Sequence, residues 1–287
     1  MLGAIEAGGT KFVLAAGPAP DRILARHTIR TRDPGTTLAE AAEWLAAQGG
    51  VSALGIGSFG PVELDRLSPK WGFITNTPKP GWADCDIAGW LGQALGVPVG
   101  FDTDVNAAAL AEHAAAGGTA GGALAYLTIG TGIGGGLVIG GQPVHGIAHP
   151  EIGHIYPRRH PLDTDFSGVC PAHGDCLEGL ASGPAIIARW GKSLSELPAD
   201  HPGHAIIADY VAQACHTLFA SVAVEEVVIG GGVAQTPGLV ERIAARTRAL
   251  DNGYLPSGTR HAVIRPRLGG DAGITGALML AEAALKA

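Results

Sequence analysis

The segment Cys170-Pro-Ala-His173-Gly-Asp-Cys176 holds two of the chain's four cysteines with a histidine midway between them. Thiolates and imidazoles are zinc donors, and His154, from His149-Pro-Glu-Ile-Gly-His154, would complete a tetrahedral N2S2 set. Four protein ligands leave no open position, so such an ion would be structural. The rival, a Cys170–Cys176 disulfide, is disfavoured in a cytoplasmic chain. Cys85 and Cys215 lack such company and read as buried thiols. His145, His149 and His160 lie near the cluster in sequence, so the choice of histidines stays open. Glu151 and Glu178 flank the ligands; they could orient a histidine, face a substrate hydroxyl, or simply lie at the surface.

A second chemical position is Asp104, in Val99-Gly-Phe-Asp-Thr-Asp-Val-Asn106. Val97, Val99 and Phe101 alternate as a strand does, and Asn106 to Ala116 is rich in helix formers, stopped by Gly117-Gly118. A carboxylate at that junction can act as a general base. It can equally cap the helix by accepting a free backbone N–H.

The third kind of feature is the glycine turn. Gly8-Gly9-Thr10, with Lys11 at its exit, joins two strands within Leu2 to Ala16, and paired glycines let backbone N–H groups approach an anion. An ordinary hairpin explains the same residues. Tyr126 to Ile139 repeats this plan around Gly130, Thr131, Gly132 and Gly134. Its Gly130-x-Gly132-x-x-Gly135 string matches a dinucleotide fingerprint, but Leu137-Val-Ile139 continues as a strand where that fingerprint needs a helix. No Walker-type loop occurs. Val227-Val-Ile-Gly-Gly-Gly-Val233 is a third strand and turn, and Gly269 to Gly276 reads as a fourth turn before a closing helix to Lys286. These repeats suggest a duplicated α/β unit with a ligand between the copies.

The elements that hold these residues follow from periodicity. Helices are expected over Thr37–Gln48, Ile87–Leu95 and Ala205–Val222, and Leu54 to Pro61 reads as a strand entering a break. Residues 61 to 84 read as irregular, and Asn76 within them could offer an amide to a polar ligand or make a turn.

A chain of 287 residues has room for two lobes. A net charge of −7 without a Lys/Arg run argues against nucleic acid and for a small-molecule partner. Glu6 and Lys11 interrupt any apolar leader, so a cytoplasmic protein is expected. Ala114 to Val144 carries no charge, yet its glycines would each cost a helix about 1 kcal/mol. Two buried strands fit it better than a membrane span.

In this order the motifs resemble the ROK family of sugar kinases and repressors, specifically its bacterial fructokinase branch. They are Ile5-Glu-Ala-Gly-Gly-Thr-Lys-Phe12, Gly57-Ser-Phe-Gly-Pro61, Phe101-Asp-Thr-Asp-Val-Asn106, Thr128-Ile-Gly-Thr-Gly-Ile-Gly-Gly135, Glu151-Ile-Gly-His154, Cys170 to Glu178, and Ile229-Gly-Gly-Gly232. The resemblance implies a two-lobed, actin-like (ribonuclease H-like) α/β fold. It places an N-terminal lobe at 1–115, with the C-terminal helix 272–287 packed on it, and a C-terminal lobe with the zinc loop at 116–271. It further implies Mg-ATP as phosphoryl donor, structural zinc, a hexose substrate and a homodimer. Asp104 would be the catalytic base. Asn76, Thr103, Glu151, His154 and Glu178 would contact the sugar. Gly8, Gly9, Thr10, Lys11, Gly130, Thr131, Gly132, Gly134, Gly230, Gly231 and Gly232 would contact the nucleotide. Glu6 would stand near magnesium. His154, Cys170, His173 and Cys176 would hold zinc, with the second nitrogen of His154 toward the sugar.

Departures from the family pattern favour fructose over glucose. Thr103 replaces the asparagine usual in glucokinases, Glu6 replaces an aspartate, His173 replaces a cysteine, and His149-Pro150 precedes Glu151. The alternatives are a glucokinase, a broader hexose or mannose kinase, and a non-catalytic sugar-binding module. A repressor is disfavoured because the first glycine loop begins at Gly8, leaving no room for a DNA-binding domain. A zinc hydrolase is disfavoured because no open-site motif occurs.

Overall fold

The computed structural model describes residues 1–118, 122–256 and 258–287. In chain order the first elements are β1 (Leu2–Ala7), β2 (Lys11–Gly17), β3 (Ala25–Arg30), α1 (Pro34–Ala46), β4 (Ala53–Ser58), β5 (Phe73–Ile74), β6 (Cys85–Asp86), α2 (Ile87–Leu95), β7 (Val99–Thr103) and α3 (Asp104–Ala115). They are followed by β8 (Ala123–Ile129), β9 (Ile133–Ile139), β10 (Gln142–Pro143), α4 (Leu177–Ala181), α5 (Gly183–Trp190), α6 (Gly203–Val222), β11 (Glu226–Gly230), α7 (Leu239–Asp251), β12 (Ala262–Ile264) and α8 (Ala272–Lys286). Contacts divide the chain into two compact units. One contains 1–115, 142–150 and 270–287, and the other contains 116–141 and 151–269.

In the first unit the strands run β3-β2-β1-β4-β7. The β1/β2 and β2/β3 pairs are antiparallel, whereas β1/β4 and β4/β7 are parallel. Alternation assigns the faces. Ile5, Phe12, Leu14, Leu54, Ile56 and Phe101 pack with Leu38 and Leu45 of α1 and Ile87 and Leu91 of α2. Ala4, Val13, Ala15 and Ala53 pack with Ile274, Ala277, Leu278 and Ala281 of α8. The α8 side is lined by small residues because that helix lies close against the sheet.

In the second unit β9-β8-β11-β12 are neighbours, with β8/β9 antiparallel and β8/β11 and β11/β12 parallel. A hairpin followed by parallel strands thus occurs in both units, and the duplicated α/β plan is present. The uncharged stretch 114–144 runs from the end of α3 through β8 and β9 to β10, with 119–121 outside the described residues. Among the described residues one helix, α6, is long and apolar enough to cross a membrane; 61% of its most apolar window is buried.

Several boundaries differ from the sequence expectation for physical reasons. Helix α1 starts at Pro34 rather than Thr37, because Asp33 accepts the Thr36 N–H at 2.9 Å and Pro34 occupies the first turn. The 61–84 region contains β5, which pairs with β6. Gly273 and Gly276, read as part of a turn, lie inside α8. There a β-carbon on Gly276 would drive into the Ala107 carbonyl of α3, and one on Gly273 would stand 2.6 Å from the Glu6 carboxylate.

Candidate active site and metal centre

Parallel register collects the candidate residues of the first unit at one sheet edge. Ala7 pairs with Ser58, and Ser58 with Thr103, so the Gly8–Thr10 turn and Asp104 both follow the carboxyl ends of adjacent strands. The open edge at strand carboxyl ends is where α/β sheets bind ligands.

The β7–α3 junction decides which residue caps the helix. Thr103 Oγ1 accepts the Asn106 N–H at 3.0 Å, so Thr103 is the cap. Asp104 is the first helical residue, half-buried, and its Oδ1 accepts the Val105 N–H at 2.9 Å. The capping role considered for Asp104 therefore belongs to its neighbour, and Asp104 places its carboxyl group at the sheet edge.

Beneath it lies Asp102, which is 2% exposed. Its Oδ1 accepts the Thr103 N–H and an Asn106 Nδ2–H, both at 2.7 Å, and His145 Nε2 lies 2.8 Å from Oδ2. That hydrogen bond raises the His145 pKa, partly opposed by desolvation. His149 Nε2 accepts the Val62 N–H at 3.1 Å. Both histidines thus serve the first unit rather than the metal cluster. Asp102 carried no expected role, and His145 was expected only as one of the histidines open to the metal cluster. The signal was a charged residue inside an otherwise apolar strand, which burial makes costly unless it is paired.

The Gly8–Thr10 turn is closed by the Gly8 N–H donating to the Lys11 carbonyl at 3.0 Å, and it is held by the Thr31 hydroxyl donating to the Gly8 carbonyl at 2.7 Å. Thr10 and Lys11 are exposed, and a β-carbon on Gly9 would meet nothing within 4 Å. Glu6 precedes this turn. Burial raises its carboxyl pKa, opposed by the charges of Lys11 and Arg26. A hydrated magnesium ion is held through one or two carboxylates beside its waters and phosphates, and Glu6 offers one at this turn. Asn76 is exposed on a bend; its neighbour Thr75 donates N–H to the Pro61 carbonyl at 2.8 Å.

In the second unit, β8 and β11 end in register, Thr128 opposite Gly230, so both glycine turns share one edge. The exposed Thr131 tips the first turn, between Gly130 and Gly132, and Gly134 follows in β9. The Gly130 carbonyl accepts the Gly183 N–H at 2.8 Å, and Glu178 Oε2 accepts the Ile133 N–H at 2.9 Å. Not every glycine here faces open space. A β-carbon on Gly132 would lie 2.6 Å from Glu178 Oε2, and one on Gly230 would strike the Tyr126 hydroxyl. Gly231 has φ +89°, a left-handed conformation that favours glycine. Gly130 and Gly232 have no neighbour within 4 Å of a built β-carbon.

The metal candidates do come together. One ligand atom from each of His154, Cys170, His173 and Cys176 lies within 4.8 Å of the others. The His154 and His173 Nδ1 atoms are 3.3 Å apart, His154 Nδ1 is 3.5 Å from Cys176 Sγ, and Cys170 Sγ is 3.8 Å from each Nδ1. Zinc bonds of about 2.1 Å to nitrogen and about 2.3 Å to sulfur give tetrahedral edges of about 3.4 Å between nitrogens and about 3.6 Å from nitrogen to sulfur, so the donor set fits zinc. Both cysteines are free thiols, and burial pushes Cys176 up to about 11, a proton that a cation would displace. Reciprocal bonds between Cys170 and Gly174 shape the loop, and the Leu177 N–H donates to the Ile155 carbonyl at 2.8 Å. With Nδ1 turned to the cluster, His154 Nε2 faces Glu151 Oε2 at 3.9 Å.

The whole chain has relatives. It is 46% identical to a fructokinase of Zymomonas mobilis over 98% of this chain and 96% of that protein. It is 42% identical to a fructokinase of Pediococcus pentosaceus over 100% and 99%. A ROK hexokinase structure from Thermus thermophilus superposes with a TM-score of 0.79 at 30% identity, covering 99% of both chains. The ROK family model spans residues 2–284. Motif order, duplicated topology and full-length similarity agree, and the chain belongs to the ROK family.

Proposed function

We propose that this chain is an ATP-dependent fructokinase that converts D-fructose to fructose 6-phosphate. The observation that carries this reading is full-length identity of 42% to 46% to fructokinases from separate bacteria. The geometry supports the same chemistry. Mg-ATP supplies the γ-phosphoryl group, and phosphoryl transfer asks the protein mainly for alignment and charge stabilisation.

Asp104 accepts the proton of the sugar hydroxyl as that oxygen attacks phosphorus and ADP leaves. The Thr103 oxygen accepts the Asn106 N–H, leaving its own proton to donate to the sugar. Glu151, His154 and Glu178 read further hydroxyls, and Asn76 adds an amide from its bend. The Gly8–Lys11, Gly130–Gly134 and Gly230–Gly232 turns present backbone N–H groups to the nucleotide, with Glu6 beside magnesium. Zinc, held by His154 Nδ1, Cys170, His173 and Cys176, would fix the His154 ring and direct its Nε2 outward. We read the enzyme as a cytoplasmic homodimer.

Fructose-dependent ADP release tests this reading against glucose, mannose and no sugar. Highest release with fructose is expected. Preference for glucose would move the assignment to a glucokinase or broader hexokinase, and no sugar dependence would leave a binding protein.

A further inference from the structure

Asp102 is a buried carboxylate whose hydrogen bonds bracket Asp104. One oxygen takes the N–H of the residue before it and the side-chain amide of Asn106 two residues after it. The other oxygen meets His145, which is 40% exposed and so can be altered without emptying a core position. His145 belongs to the 142–150 stretch, which groups with the first unit, and His149 holds the far end of that stretch by accepting the Val62 N–H.

We infer that His145 is a positioning residue for Asp104, acting through Asp102; this rests on Asp104 being the base. The His145 ring fixes the rotation of the Asp102 carboxylate, and the carboxylate fixes the Thr103–Asn106 turn from which Asp104 projects. Without the ring, Oδ2 loses its 2.8 Å hydrogen bond, the carboxylate turns toward solvent, and both bonds of Oδ1 loosen. Asp104 then loses its alignment with the attacking hydroxyl, and misplacement by about 1 Å costs on the order of 100-fold in rate.

The test compares wild type with His145→Ala, His145→Gln and Asp102→Asn, measuring kcat, KM for ATP, melting temperature and amide hydrogen exchange. His145→Ala should lower kcat with fructose by about tenfold or more, with KM for ATP within about twofold. Its melting temperature should fall by several degrees, because the buried Asp102 carboxylate loses a partner, so His145→Gln, which keeps a donor there, separates positioning from folding. His145→Gln, whose amide nitrogen reaches about as far as Nε2, should recover to within about threefold of wild type. Asp102→Asn should also be slow. Exchange at the Thr103 and Asn106 amides should rise about tenfold in His145→Ala. Wild-type kcat in His145→Ala, or His145→Gln as slow as His145→Ala, would overturn the inference. Unchanged exchange at Thr103 and Asn106 would overturn it even in a protein that phosphorylates no sugar. Wild type inactive with every sugar, yet with raised exchange in His145→Ala, would remove the kinase reading and leave the coupling standing.

Discussion

Thr103 Oγ1 accepts the Asn106 N–H at 3.0 Å, and this one bond separates the helix cap from the candidate base beside it. Asp104→Asn should therefore leave the cap intact. Its kcat is expected to fall by about 100-fold or more while its melting temperature stays near wild type. Thr103→Ala should instead cost about 1 kcal/mol of stability in denaturant titration. Near-normal turnover of Asp104→Asn would remove the base assignment.

Glycine positions divide by what surrounds them. A β-carbon at Gly276 would enter the Ala107 carbonyl of α3, so Gly276→Ala should lose about 1–3 kcal/mol as the two helices are forced apart. Gly9 has open space, so Gly9→Ala should melt near wild type. If the Gly8–Thr10 turn takes phosphate, the same variant should raise KM for ATP several-fold. Equal melting loss in the two variants would contradict the packing argument.

Glu178 ties the Gly130–Gly132 turn to α4 by accepting the Ile133 N–H at 2.9 Å. Gly132→Ala would push a methyl against that carboxylate, which stands 2.6 Å from the built β-carbon. Both Gly132→Ala and Glu178→Ala should weaken ATP use, and the double variant should fall short of the sum because they disturb one contact. Additive effects would mean the two act separately.

Purified protein should carry about one zinc per chain, and Cys176→Ser should lose it. Chelation should lower both melting temperature and kcat, with recovery on adding zinc. Less than about a tenth of an equivalent in wild type would eliminate the site.

The His145–Asp102 pair gives stability a pH dependence of known sign. Asp102 raises the His145 pKa in the folded protein above its unfolded value of about 6.5. The gain is fully present below that unfolded value and is lost as pH rises through the folded pKa. The melting advantage of wild type over His145→Gln should shrink from about pH 6 to about pH 9. A widening advantage would contradict the pairing.

The chemistry of this protein was written locally, and residue types and short spacings carried it. The Cys170–His173–Cys176 spacing and His154 in the neighbouring motif named four donors that do converge, because three of them sit on one tight loop. Apolar runs on either side of the Gly8–Thr10 and Gly130–Gly132 turns foretold both hairpins, and their strands are buried along most of their length. Contacts distant in sequence decided the rest. Whether His145 or His149 joined the cluster depended on where residues 142–150 pack, which no spacing states. The placement of Gly273 and Gly276 inside a helix depended on the close approach of α8 to β1 and α3. Sequence spacing alone left Asp104 between cap and base; only the folded Thr103–Asn106 bond assigned the cap to Thr103, because a rotamer and a register are set by packing.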